Sequence, residues 1–279
     1  MKLNFTKMHG LGNDFVMIDC RAIDLPDLPL LAKKMADRRF GIGADQILLL
    51  YNSDKADFMM KILNADGSEV EMCGNGIRCF AKYIWDRGLS DKEMLDVETL
   101  AGIIRPKKAG DMVRVDMGEP IFDPELIPVK IPKPADTSLP VMDYPLTIDN
   151  RNFTLTFVSM GNPHAVIFID EEIKSFRVQH YGPMIENHSL FPKRTNVEFI
   201  QPANSKELHM RVWERGSGET LACGTGASAA GVAAMAKGLT ERIVTLHLTG
   251  GDLLIEWAAD NHVYMTGPAT EVFQGVIEL

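Results

Sequence analysis

Short apolar runs, several of them alternating with polar residues, recur along the chain at 16–18, 46–51, 58–63, 155–158, 165–169, 197–200, 208–213 and 243–248. Runs of this length and alternation predict strands. Two more, at 113–118 and 263–267, end in Met-x-Gly or Met-Gly, and residues 272–277 predict a closing strand. Helical patterns are fewer. Residues 28–38 form one. A second follows Cys73, where Ile77, Phe80, Ala81 and Ile84 recur at i, i+3, i+4 and i+7. A third, 227–237, is almost all Ala, Gly, Ser, Val and Met, and a helix apolar all round is buried all round.

The same pattern occurs twice. Cys73-Gly74-Asn75-Gly76 and Cys223-Gly224-Thr225-Gly226 lie 150 residues apart. The offset is 149 between Gly12-Asn13 and Gly161-Asn162, and 150 between Gln46 and Asn196, Asn64 and Glu214, Glu69 and Glu219, and Gly88 and Gly238. A repeat of this length implies two similar domains. Seven of the fifteen prolines fall between Pro120 and Pro145, which predicts edge strand or linker there. The expected division is residues 1–119 plus 268–279 as one domain and 120–267 as the other. The fold class expected is α+β, each domain a strand-rich sheet curled around one central helix.

Composition narrows the function. The net charge of −9 and the absence of a Lys/Arg cluster argue against nucleic acid. No apolar stretch reaches membrane-spanning length, and the first residues, Met1-Lys2-Leu3-Asn4-Phe5, lack the apolar core of a signal peptide, so the cytoplasm is the expected compartment. The four cysteines contain no Cys-x-x-Cys pair and are expected to be reduced thiols, Cys20 and Cys79 as core residues. The histidines show no metal-ligand spacing, and Phe40-Gly41-Ile42-Gly43 reads as a loop rather than a nucleotide fingerprint, so neither metal nor cofactor is expected.

Cys73 and Cys223 differ from the other two because each precedes Gly-x-Gly and a helix. Unpaired amides and the helix dipole at such a position favour a thiolate and can also bind a substrate carboxylate. Two such thiols facing one another across a cleft would suit inversion at carbon, in which one group removes a proton and another delivers one from the opposite side. The helix N-termini would stabilise the developing carboxylate charge.

The segments His9-Gly10-Leu11-Gly12-Asn13-Asp14-Phe15, Gly41-Ile42-Gly43-Ala44-Asp45-Gln46, Asn64-Ala65-Asp66-Gly67-Ser68, Met72-Cys73-Gly74-Asn75-Gly76-Ile77-Arg78-Cys79, Gly161-Asn162-Pro163-His164, Arg194-Thr195-Asn196-Val197-Glu198, Trp213-Glu214-Arg215-Gly216-Ser217-Gly218-Glu219-Thr220 and Ala222-Cys223-Gly224-Thr225-Gly226 resemble, in order, the diaminopimelate epimerase family. The resemblance implies a homodimeric, pyridoxal-phosphate-independent isomerase that interconverts LL- and meso-diaminopimelate for lysine and peptidoglycan synthesis. It implies Cys73 and Cys223 as the acid/base pair and Gly74, Asn75, Gly224 and Thr225 as the cradle of the reacting carboxylate. Asn13, Gln46, Asn64, Asn162, Asn196, Glu214 and Arg215 would contact the substrate, with Arg215 on the distal carboxylate, and His164 and Glu214 would tune the thiols. Proline racemase shares the paired Cys-Gly-x-Gly settings, but proline has no distal charge for Arg215 to meet. A thiol redox or binding protein without isomerase activity is the alternative from another class, separable by deuterium exchange into diaminopimelate.

Overall fold

The computed structural model describes residues 2–131 and 140–278, so part of the proline-rich stretch, 132–139, lies outside the described residues. The chain divides into two units, Met1–Asp116 with Thr266–Leu279, and Met117–Met265.

The first unit opens with β1 (Lys2–Gly10) and β2 (Asn13–Asp19), followed by α1 (Leu28–Ala36), β3 (Gln46–Tyr51), β4 (Phe58–Asn64) and β5 (Glu69–Val70). Then come α2 (Gly74–Asp86), β6 (Val97–Thr99), β7 (Gly102–Ile104) and the hairpin of β8 (Lys107–Ala109) and β9 (Met112–Asp116). Side chains alternate across a strand, so each strand serves both faces of the sheet. Leu3, Phe5, Val16, Ile18, Ile47 and Leu49 form one core with Leu31 and Met35 of α1. From the same strands, Phe15 and Leu48 lie against Gly76 in the first turn of α2.

The second unit repeats this plan with β10 (Tyr144–Ile148), β11 (Arg151–Ser159), β12 (Pro163–Phe168), α3 (Val178–Glu186), β13 (Asn196–Asn204), β14 (Glu207–Glu214) and β15 (Gly218–Thr220). It continues with α4 (Gly224–Ala236), β16 (Ile243–Leu248), β17 (Gly251–Trp257) and β18 (Val263–Gly267). The last strand, β19 (Thr270–Glu278), pairs antiparallel with β1 and closes the first sheet, whose order is β19-β1-β2-β3-β4-β6-β7. α3 packs with β13 and β14 around Val178, Tyr181, Ile185 and Phe199. α4 takes the other face, with ten of its residues buried. Its small residues have a steric reason: a Cβ on Gly231 would sit 2.9 Å from Ile255 Cγ2.

The internal repeat is visible in the strand registers. Phe15 pairs with Gln46 across parallel β2 and β3, and His164 with Asn196 across parallel β12 and β13. Leu63 pairs with Glu69, and Trp213 with Glu219. The helices α1 and α3, and α2 and α4, have equal lengths of nine and thirteen residues. Sequence patterning missed α3, because Pro183 interrupts it and its apolar positions are irregular. It also missed β1, β10 and β17 and the short strands β5, β6, β7, β8 and β15, and it extended α1 by two residues past Ala36.

Candidate active site

Each of the two cysteines is a helix N-cap, and the two caps have nearly the same geometry. Cys73 has φ −138° and ψ 117°, and Cys223 has φ −123° and ψ 116°. Each sulfur accepts a hydrogen bond at 3.4 Å from the amide three residues on, Gly76 N in one case and Gly226 N in the other. The Cys-Gly-x-Gly sequence favours this shape because the N-cap is extended while the residues after it turn into a helix, leaving amides directed at the cap.

In the first unit, the β1–β2 hairpin turns through Leu11 (φ 56°) and Gly12 (φ 88°), left-handed conformations typical of a two-residue hairpin turn. That turn brings Asn13 to the cysteine. Asn13 Oδ1 accepts from Cys73 Sγ at 3.7 Å and from Asn75 Nδ2 at 3.3 Å. Gln46 and Asn64 are cross-strand partners, with Gln46 Nε2 donating to Asn64 Oδ1 at 2.9 Å. The other Gln46 amide atom, Oε1, is buried and has no hydrogen-bond partner among the described residues. Beneath the helix end is Arg78, fully buried, donating to Gly74 O at 3.3 Å and Pro268 O at 3.2 Å. Burial pulls its pKa down, and the charges of Cys79 and Cys73 oppose that shift.

In the second unit, Asn162 Nδ2 donates to Thr225 Oγ1 at 3.2 Å, and Thr225 Oγ1 lies 3.5 Å from Cys223 Sγ. His164 bridges two neighbours, with Nε2 2.9 Å from Asn162 Oδ1 and Nδ1 2.7 Å from Glu198 Oε1. Asn196 donates to Pro163 O at 2.9 Å and accepts from the Arg215 amide at 2.9 Å. Its amide is therefore committed largely to backbone, and it positions the turn that carries Arg215. The Arg215 guanidinium reaches Lys193 O at 3.4 Å, and the residue is exposed. Glu214 accepts from the Thr220 hydroxyl.

The polarity of the two sites differs. Asn13 offers a carbonyl oxygen to its cysteine, so the Cys73 thiol is a donor. Asn162 offers its NH2 group to Thr225, which frees the threonine hydrogen for the sulfur of Cys223.

Electrostatics correct one expectation. The helix N-terminus was expected to make the thiolates accessible, but the Cys223 pKa is raised well above the ordinary thiol value. Burial is the largest cause, followed by the charges of Glu214 and Glu198, and together they outweigh the Thr225 and Gly226 hydrogen bonds. Glu198 was absent from the expected site. Burial raises its own pKa, Glu214 adds to that, and His164 opposes it. Its signal in the sequence is a lone carboxylate inside the apolar run at 197–200. Cys20 and Cys79 are buried, and burial pushes them up to about 11 and about 12. Among the described residues, no group of three or more His, Cys, Asp or Glu could hold a metal ion, and no helix is long and apolar enough to cross a membrane.

Solved structures with this two-domain fold define the class. The chain aligns with a PhzF-family phenazine biosynthesis protein from Bacillus anthracis, with a TM-score of 0.73, 15% identity and full coverage of both chains. It also aligns with a hydroxyproline epimerase from Agrobacterium vitis, with a TM-score of 0.69, 14% identity and coverage of 99% and 92%. At such identities the likeness is one of fold: the α+β architecture of two pseudo-symmetric domains shared by these proteins. Sequence then narrows the class. The diaminopimelate epimerase family model matches residues 5–122 and 156–272. The diaminopimelate epimerase of Moorella thermoacetica is 55% identical over 280 residues, covering 98% of both chains, and that of Desulfitobacterium hafniense is 55% identical over 283 residues, covering 99% and 98%. The chain belongs to the diaminopimelate epimerase family and is an isomerase.

Proposed function

We propose that this chain interconverts LL- and meso-diaminopimelate by proton transfer at one α-carbon, with Cys73 and Cys223 as the acid/base pair, and without a cofactor. The observation that carries the reading is the repeated N-cap: two cysteines, in two units of one plan, each held at 3.4 Å by the third amide of its own helix. One thiolate removes the α-proton and the other thiol delivers a proton to the opposite face, so that configuration inverts. Residues 1–119 with 268–279 and residues 120–267 each contribute one thiol. The amides at Gly74, Asn75, Gly224 and Thr225 hold the reacting carboxylate, whose negative charge grows in the transition state. Asn13, Gln46, Asn64, Asn162, Asn196 and Glu214 surround the substrate, and Arg215, exposed and with its guanidinium 3.4 Å from Lys193 O, takes the distal carboxylate.

Glu214 and His164 act on the thiol of the second unit, Glu214 by its charge and His164 through Asn162 and Thr225. The product feeds lysine and peptidoglycan precursor synthesis in the cytoplasm, and the working form is a homodimer. The test is solvent-deuterium incorporation followed by NMR over a substrate panel. LL- and meso-diaminopimelate should both gain deuterium at the α-carbon and interconvert without added pyridoxal phosphate, whereas proline should do neither. Exchange into proline but not diaminopimelate would overturn the substrate assignment.

A further inference from the structure

We propose that Glu198 is a positioning residue for Cys223, holding His164 so that a chain of hydrogen bonds through Asn162 and Thr225 ends in a donor aimed at the sulfur. This rests on the reading of Cys223 as one of the acid/base thiols.

The geometry forms a continuous line. Glu198 Oε1 lies 2.7 Å from His164 Nδ1, His164 Nε2 lies 2.9 Å from Asn162 Oδ1, Asn162 Nδ2 donates to Thr225 Oγ1 at 3.2 Å, and that oxygen lies 3.5 Å from Cys223 Sγ. The direction of donation follows from the ends. Asn162 gives its NH2 group to Thr225, so its carbonyl accepts from His164, which requires a proton on Nε2. Nδ1 and Oε1 then share one further proton across their contact, so the His164–Glu198 pair as a whole carries no net charge. With its oxygen accepting from Asn162, Thr225 turns its hydrogen to the sulfur. A donor at that point stabilises the thiolate that remains after Cys223 gives up its proton.

A comparison within the molecule separates this role from a packing role. In register with His164 and Glu198, the first unit has Phe15 and Leu48, and these two side chains pack at 3.5 Å and 3.3 Å from the position a Cβ would take on Gly76. In the second unit the equivalent position on Gly226 is 2.8 Å from Glu198 Oε1. The fold thus supports the same helix end with two apolar residues in one copy and with a fully buried His–Glu pair in the other. Burying two ionisable groups is costly unless they are paired, and here the apolar solution is available in the same chain. One Glu198 oxygen, Oε2, lacks any hydrogen-bond partner among the described residues, which adds to the cost.

The test transplants the first unit's solution. The double variant His164→Phe with Glu198→Leu is compared with Glu198→Gln, whose amide can still donate to Nδ1 and keep the proton on Nε2. Alkylation of each thiol by iodoacetamide is followed by mass spectrometry from pH 7 to 10 without substrate, so the result does not depend on the substrate assignment. The double variant should fold, and Cys223 should alkylate about tenfold more slowly than in the wild type, with Cys73 unchanged; Glu198→Gln should stay within about threefold. Equal or faster alkylation of Cys223 in the double variant would overturn the proposal, as would Glu198→Gln behaving like the double variant. In the unsubstituted protein, nitrogen-15 NMR of the His164 ring supplies an independent check. A proton on Nε2 is expected, and a ring protonated only at Nδ1 would contradict the chain.

Discussion

Asn13 donates its amide to Asp45 Oδ2 at 2.9 Å, so the carbonyl end of that amide is the end turned to Cys73. Asp45 is itself held by Arg38, at 2.7 Å, and accepts from the Asp14 amide at 3.1 Å. Asp45→Ala should free the Asn13 amide to rotate and present NH2 to the thiol, while leaving the apolar core untouched. A hydrogen bond of this kind contributes about 0.5–1.5 kcal/mol, so kcat should fall by about two- to tenfold with little change in Tm. Steady-state kinetics beside thermal unfolding separates the two effects. A loss of Tm that fully accounts for the lost activity would make Asp45 a stability residue only.

The proposed function gives Arg215 the distal carboxylate of a two-ended substrate. Its exposed guanidinium has Lys193 O as a weak neighbour, which leaves its donors available for a bidentate contact. Arg215→Met should reduce kcat/KM by about 30-fold to several thousand-fold, the range for losing a desolvated charge-assisted pair on binding. Activity within threefold of wild type would remove Arg215 from the site.

Acid stability should depend on Asp14. Burial alone would raise its pKa, but hydrogen bonds from Arg38 at 2.7 and 3.0 Å and from Lys7 at 2.6 Å hold it well below the usual carboxylate range. A carboxyl whose pKa is lower in the folded than in the unfolded state stabilises the fold above the unfolded value of about 3.9, and that contribution is lost as pH falls below it. Asp14→Asn should therefore be less stable than wild type at pH 7, with the gap narrowing through pH 4 and below. Denaturation midpoints across pH 3 to 7 measure the gap, and a constant difference would contradict the assignment.

Much of this structure is legible in the sequence, and the exceptions have physical causes. Residues 46–51 read as a strand because a short apolar run follows Gln46, and residues 243–248 because apolar positions alternate with Thr245 and His247; both are strands over those limits. The central helices are legible from a cap, a period and a terminating glycine. α3 was not, because Pro183 and a mixed pattern hide it, although α1 shifted by the 150-residue repeat falls on the same positions. The candidate site stands out in the sequence where it repeats, since duplicated polar residues contrast with a changing background. Glu198 breaks the repeat, opposing Leu48, and so escaped notice. The raised pKa of Cys223 was also beyond sequence reading, because helix capping is local whereas burial and the approach of Glu214 and Glu198 are tertiary.

The central claim is that two thiols act on opposite faces of one carbon, and single-cysteine variants test it most directly. Cys73→Ala and Cys223→Ala should each lose net epimerisation by orders of magnitude, because each lacks either the base or the acid in a given direction. The remaining thiol can still remove and return a proton on its own face. Solvent-deuterium exchange, measured by NMR across a pH series to allow for a shifted pKa in the surviving thiol, should therefore label one diaminopimelate isomer with retention in one variant and the other isomer in the second. Labelling of the same isomer by both variants at every pH would contradict the two-thiol account.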